Sequence, residues 1–289
     1  MSIRVRTYAD AASFLRHARL ELESNEAANS LMLGVCERLV RHPERIEADP
    51  CLKTVEDETG LVLAAMMTPP HKLVVSGHRV DLEQGIRVLV SNLADEGCQV
   101  PGVMGPSEFA QRVAEELGAA SGRGYELDGR QTLYELRKVL NPPPSRGKLR
   151  LAIEADVELV ARWWHTFHQG IFGTADRVVF QRSAEVRIGD GDIYLWEDGP
   201  PLSMAMKNRP TSKGISIGLV YTPPEVRRRG YATACVGELS RVLLGEGWAF
   251  CSLFTGVENV AARRVYHKVG YRALGDYDEY LFDPPSEMG

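Results

Sequence analysis

Two spacings of apolar residues alternate along the chain. Past Gly230 they fall at Ala232, Cys235, Val236, Leu239, Val242 and Leu243, the spacing of a helix with one buried face, and Gly245 and Gly247 stop it. Before that helix, "GISIGLVYT" (residues 214–222) reads as a strand ended by Pro223-Pro224. "DIYLWED" (192–198) and "LSMAMKN" (202–208) form a hairpin around Gly199, Pro200 and Pro201. "CSLFT" (251–255) is a continuous apolar run, expected of a buried central strand. "KLRLA" from Lys148 is a further strand, followed by a helix from about Asp156, a natural N-cap. The order is short strand, helix, strands, helix, strand, helix, strand. It predicts a mixed α/β fold (α+β layered), with helices flanking the sheet.

The first 140 residues follow the same plan. "IRVRTYADAASFL" from Ile3 matches "LRLAIEADVELV" from Leu149, and "GYELDGRQTLYEL" from Gly124 matches "GYRALGDYDEYLF" from Gly270. Asp10 and Asp156, Gly124 and Gly270, and Tyr134 and Tyr280 all share one separation of 146 residues. "ETGLVLAAMM" from Glu58 resembles "EDGPPLSMAM" from Glu197 at a slightly different separation. Similarities in one order indicate a duplicated domain of about 145 residues. The predicted organisation is residues 1–140, a linker at 141–147 carrying three consecutive prolines, and residues 148–289.

Composition narrows the class. The 289 residues are 44% apolar and 25% charged with a net charge of −5, as in an ordinary globular protein. A pI near 5.9 argues against a nucleic-acid partner. Five cysteines without a CxxC pair imply neither a disulfide framework nor a metal site. With no membrane-spanning run and no signal-peptide core, the expected setting is cytoplasmic.

One stretch stands against the acidic balance. "PPEVRRRGYATA" (223–234) puts Arg227, Arg228 and Arg229 at the start of the predicted helix, where unpaired backbone N–H groups and the dipole already make a positive end. Charges that oppose the dipole, followed by Gly230 and Ala232, suit a phosphate cradle; a solvated turn is the alternative.

The wording of the loop, R-R-R-G-Y-A after "VYTPPE", resembles the GNAT acetyltransferases. A second stretch agrees: Asn259, then Tyr266 seven residues later, then Gly270-Tyr271. The resemblance covers residues 148–282 directly and the first half only through the repeat. It implies two GNAT-like domains, each a mixed, mostly antiparallel twisted sheet flanked by helices. It also implies acetyl-coenzyme A as cosubstrate, without a metal.

By that resemblance Leu219, Val220 and Tyr221 present backbone groups to the pantetheine arm and acetyl carbonyl. Arg227, Arg228, Arg229, Gly230, Tyr231, Ala232 and Thr233 hold the diphosphate. Asn259 binds pantetheine or caps its helix, and Tyr266 protonates the leaving thiolate. Trp163, Trp164 and Phe167 are candidates for an acceptor pocket or for plain packing. Val260, Ala261 and Ala262 depart from the family's usual Pro and Ser, and the strand before the arginine loop carries no carboxylate. The general base therefore stays open among Glu197, Asp198, His165, His168 and a chain of waters.

In the first half, Asp81-Leu82-Glu83-Gln84-Gly85-Ile86 stands where the arginine loop should be. Carboxylates there repel a diphosphate, so one coenzyme per chain is expected. The expected activity is N-acetylation of a small-molecule or peptide amine, by a monomer or homodimer without membrane association. The alternative is a non-catalytic acetyl-coenzyme A sensor or interaction module.

Overall fold

A computed structural model describes residues 3–46, 48–77, 82–140, 146–172 and 177–284. Asp81, the linker prolines at 142–144 and the Phe172 side chain lie outside the described residues. The first half of the chain contains β1 (Arg4–Thr7), α1 (Ala11–Glu23), α2 (Ser30–Arg41), β2 (Cys51–Asp57), β3 (Gly60–Met67) and β4 (Leu73–Gly77). It continues through α3 (Glu83–Asp95), β5 (Gly102–Pro106), α4 (Ser107–Ser121) and β6 (Tyr125–Leu136). The second half repeats the series with β7 (Lys148–Leu151), α5 (Val157–Phe172), α6 (Arg177–Gly189), β8 (Ile193–Glu197) and β9 (Pro201–Asn208). Then come β10 (Gly214–Tyr221), α7 (Tyr231–Gly245), β11 (Phe250–Gly256), α8 (Val260–Val269) and β12 (Arg272–Phe282). No helix among the described residues is long and apolar enough to cross a membrane.

The strands predicted in the second half are present within a residue or two of their expected ends. One element goes beyond the prediction: two helices, not one, follow the first strand of each half. In α6 the apolar stripe of Phe180, Ala184 and Ile188 is blurred by the exposed Val178, Val179 and Val186. A second correction concerns Asp156. Its carboxylate accepts the Ile153 N–H (2.8 Å) and two Arg150 N–H bonds (2.7 and 3.0 Å), and does not cap the helix ahead. Asp10, its counterpart in the repeat, is the N-cap of α1, accepting the Ser13 N–H at 2.7 Å.

The chain forms two compact units, and they are interleaved in sequence. Unit 1 comprises Met1–Leu133, Gly256–Glu258 and Leu274–Gly289; unit 2 comprises Tyr134–Thr255 and Asn259–Ala273. Unit 1 has the strand order β1-β2-β3-β4-β5-β12, all antiparallel neighbours except β4 and β5. Unit 2 runs β11-β10-β9-β8-β7, parallel only between β10 and β11. The last strand of the second half thus completes the sheet of unit 1, with Tyr280 opposite Val103. Reciprocally, Tyr134 and Leu136 at the end of β6 pack into the core of unit 2. The matched tyrosines of the repeat, Tyr134 and Tyr280, have exchanged units.

Each sheet buries both faces. In unit 1, Leu63, Ala65 and Met67 of β3 meet the core under α3 and α4, while Ala64 and Met66 meet the one under α1 and α2. That is the period-two alternation of a strand covered on both sides. In unit 2 the corresponding layers are α7 and α8 on one face and α5 and α6 on the other.

Candidate functional site

The site is organised by a fault in β10. Its parallel pairing with β11 runs Gly214 to Phe250, Ile215 to Cys251 and Ser216 to Ser252, and β10 continues to Tyr221 past the last of these pairs. On the other side, Gly218 sits opposite Met206 but Tyr221 sits opposite Met204. Three residues of β10 therefore span two of β9, which is a β-bulge. Leu219 occupies the left-handed region at φ 50°, unusual for a branched residue. The extra residue inverts the alternation. Ile215 and Ile217 belong to the core beneath α7 and α8, whereas Leu219 and Tyr221, of the same parity, belong to the core beneath α5 and α6. Val220 turns to the α7/α8 side. A one-residue slip flips every later side chain, and here it carries Tyr221 across the sheet.

Tyr221 then anchors the arginine loop. The Arg227 guanidinium lies 5.9 Å from its ring centroid, and Arg227 Nε donates to the Thr222 carbonyl at 2.9 Å. Ser203 Oγ donates to the Tyr221 carbonyl at 3.0 Å from the neighbouring β9. Arg227 is thus engaged in shaping the turn. Arg228 follows at φ 63° and Gly230 at φ 90°. Left-handed residues in such a turn tip successive backbone N–H groups toward one concavity, an anion-binding arrangement. Gly230 is the N-cap of α7, where no side chain caps the helix and no acidic residue stands in the first turn. A Cβ at Gly230 meets nothing within 4 Å, so that side of the turn is open. Arg228 and Arg229 are exposed, and among the described residues neither forms an ion pair. Tyr231, Ala232 and Thr233, half-buried, form the first turn of α7.

Tyr266 stands in the same unit on α8, packed in the cluster that also receives Val220 and Tyr231. Its ring centroid lies 6.1 Å from that of Tyr134 and 5.8 Å from that of Tyr271. Burial pushes the Tyr266 phenol above its ordinary range, with the Tyr134 hydroxyl adding to the effect. Its hydroxyl makes no hydrogen bond within the described residues. Asn259 caps α8: its Oδ1 accepts the Ala262 N–H at 3.0 Å. The departures from Pro and Ser after Asn259 have left that cap intact.

The aromatic stretch of α5 divides. Trp163 is buried, 5.8 Å from the Tyr221 ring, and so supports the bulge from beneath. Trp164 and Phe167 are half-buried on the same core, with Trp164 6.4 Å from Phe180 of α6. His165 and His168 also border Phe180. Glu197 is held by Arg150 (Nε to Oε2, 2.5 Å) and Lys148 (3.3 Å). The Arg150 guanidinium holds its carboxyl below the usual range, and a carboxylate so engaged makes a poor base.

The chain resembles known proteins in fold. A family profile described as FR47-like protein matches residues 201–281. A GCN5-related N-acetyltransferase from Sphaerobacter thermophilus superposes with a TM-score of 0.62 at 16% identity, covering 96% of this chain and 94% of its own. A Drosophila protein superposes at 0.66 with 13% identity, covering 99% of this chain and all of its own. A tandem GNAT protein from the clavulanic acid biosynthesis pathway aligns with a TM-score of 0.57 at 14% identity, over 99% of this chain and 100% of that one. A comparison with curated protein sequences gives no match. The chain has the tandem GNAT fold.

Within that fold the two GNAT-like units differ at the turn into the helix that follows the fourth strand of each half. In unit 1, α3 follows β4 as α7 follows β10, but its first turn carries Glu83 and its N-cap is Leu82. The strands there also approach closely: a Cβ on Gly105 of β5 stands 2.8 Å from the Val75 carbonyl of β4. The sequence places the arginine loop between a strand and a helix, as observed, yet the bulge escaped it. Gly218, in the middle of "GISIGLVYT", is the one signal that could have suggested it.

Proposed function

We propose that unit 2 is an acetyl-coenzyme A-dependent N-acetyltransferase. It moves an acetyl group to a primary amine of a small molecule or peptide by direct attack of the amine on the thioester. One observation carries the reading: β10 bulges at Leu219 beside the open end of its pairing with β11, then runs into exposed arginines at the N-terminus of α7. A diphosphate fits this turn because no side chain caps α7, the space at Gly230 is open, and its arginines pair with no carboxylate among the described residues. Arg228, Arg229 and the N–H groups of residues 230–233 hold the diphosphate, and Arg227 keeps the turn in shape. Backbone groups of residues 219–221 orient the thioester by preorganised hydrogen bonding. Tyr266 donates to the departing sulfur. Since burial raises the pKa of its phenol and makes it a weaker acid, hydrogen-bond donation serves better than complete proton transfer. Trp164 and Phe167 border the amine site.

The test is acetyl-coenzyme A-dependent thiol release across a panel of amines, with calorimetry expected to give one coenzyme per chain. A stoichiometry of two, or no binding, overturns the proposal. The lack of a carboxylate on residues 214–221 favours a second reading, a non-catalytic acetyl-coenzyme A binder, which predicts binding without turnover of any amine.

A further inference from the structure

The α5/α6 side of the unit 2 sheet carries a polar amide that the protein leaves partly unused. Asn208 is the last residue of β9, directly opposite Ser216 of β10. Met204 and Met206, of the same parity, belong to the core beneath α5 and α6, so Asn208 points to that side as well. Its Oδ1 is buried and accepts no hydrogen bond among the described residues. The Ser216 hydroxyl opposite is engaged with that of Ser252, 2.9 Å away. A buried acceptor without a donor is costly, and native proteins rarely keep one without a use.

The amide lies beside the bulge. Gly218 precedes Leu219, and a Cβ on Gly218 would stand 3.2 Å from Asn208 Nδ2, so the missing side chain leaves the room that the amide occupies. Past Gly218 the bulge turns Leu219 and Tyr221 onto the same side. Met206, Ser216, Gly218, Leu219 and Tyr221 share this side of the sheet with Asn208, and none carries a carboxylate, an ammonium or a guanidinium. Trp164 and Phe167 of α5 add half-buried aromatic surface to the same core.

Resting on the reading of unit 2 as an N-acetyltransferase, we infer that Asn208 binds the acceptor amine, and that this acceptor is a primary amine on an apolar, uncharged body. Of the groups that react, only the amine N–H is a donor; the thioester carbonyl and sulfur can only accept. An N–H bonded to Asn208 Oδ1 holds the nitrogen beside residues 219–221, with its lone pair free for the carbonyl carbon. The nitrogen forms the C–N bond, and the C–S bond breaks with its electron pair on sulfur. The nitrogen gives one proton to water, and the thiolate gains one to become the free thiol. The side-chain amide is no base, so it orients the amine without taking that proton. Its hydrogen bond strengthens as the attacking nitrogen turns cationic, and therefore acts on the transition state. A second charge on the acceptor would find no counter-charge on this side of the sheet, which disfavours polyamines and free amino acids.

The test measures thiol release by the full chain at saturating acetyl-coenzyme A, with phenethylamine and putrescine as acceptors. The unaltered chain should favour phenethylamine by about 10²-fold or more in kcat/KM. Asn208→Ala should lower that kcat/KM about 10- to 10²-fold. The Kd of acetyl-coenzyme A and the Tm should stay nearly unchanged, because Oδ1 has no protein partner to lose. Gly218→Ala, whose Cβ presses on the amide, should also lower kcat/KM, yet should add nothing to Asn208→Ala. A preference for putrescine, an unaltered kcat/KM in Asn208→Ala, an equal loss of coenzyme affinity, or independent effects of the two substitutions overturns the inference and leaves the transferase reading standing. Coenzyme binding without turnover of any amine in the wider panel overturns that reading, and the inference with it.

Discussion

Replacing both Arg228 and Arg229 with alanine should move stability and affinity in opposite directions. In the free protein the two side chains are exposed, have no acidic partner among the described residues, and stand at the positive end of α7. A cation there costs about 0.3–1 kcal/mol at low ionic strength, and exposure puts each of these at the low end. Removing both should therefore stabilise the unliganded chain by about 0.5–1 kcal/mol, raising Tm by roughly 1–4 °C. Alanine at position 228 keeps the left-handed backbone strain that arginine already bears, so that term cancels. With a diphosphate bound the sign reverses. A hydrogen bond to a charged group contributes about 1.5–3 kcal/mol, so losing both arginines should weaken acetyl-coenzyme A binding by roughly 10²- to 10⁴-fold. Scanning calorimetry without ligand and titration calorimetry at low and high salt measure the two effects separately. The salt dependence of binding should shrink in the variant as charges are removed. An unchanged Kd refutes the diphosphate site. A fall of several degrees in the unliganded Tm refutes the claim that these arginines have no structural partner.

Other expectations follow from the same geometry. Tyr266→Phe should lower kcat about 10²-fold while leaving coenzyme affinity and Tm nearly unchanged, because the hydroxyl has no protein partner to lose; thiol-release kinetics and calorimetry check this. An unaltered kcat would remove Tyr266 from the reaction. Trp163→Ala, which empties the space beneath Tyr221, should cost about 3–5 kcal/mol by denaturant titration. Trp164→Ala should instead raise the acceptor KM more than the acetyl-coenzyme A KM; equal changes in both would mean a packing role. Asp156 is held below its ordinary range, first by the Arg150 hydrogen bonds, so its contribution to stability is complete above pH 4 and is lost as pH falls through the depressed value. Asp156→Asn should therefore lower stability at neutral pH but flatten its dependence below pH 4, as read from unfolding curves at several pH values.

Local chemistry made much of this protein legible from its residues. Proline stops β10 after Tyr221, the helical spacing from Ala232 to Leu243 defines α7, and the three arginines mark the turn between them, because each of these depends on neighbours in the chain. The repeat disclosed the duplication for the same reason: Asp10 and Asp156 open corresponding segments even though only Asp10 became the N-cap. What the sequence left undetermined is decided by pairing across distance. Tyr134 and Tyr280 occupy matching places in the two halves, yet each is buried in the other half's unit, and a strand's own residues do not specify which sheet edge receives it. Nor does the pattern Ile215, Ile217, Leu219, Tyr221 announce that its phase breaks. Read alone it alternates without interruption, and only the two-residue span of β9 opposite forces the extra residue out and turns Tyr221 toward Trp163. The arginine loop was determined by the sequence; the direction in which it is held was decided by the fold, because a bulge exists only relative to the strand beside it.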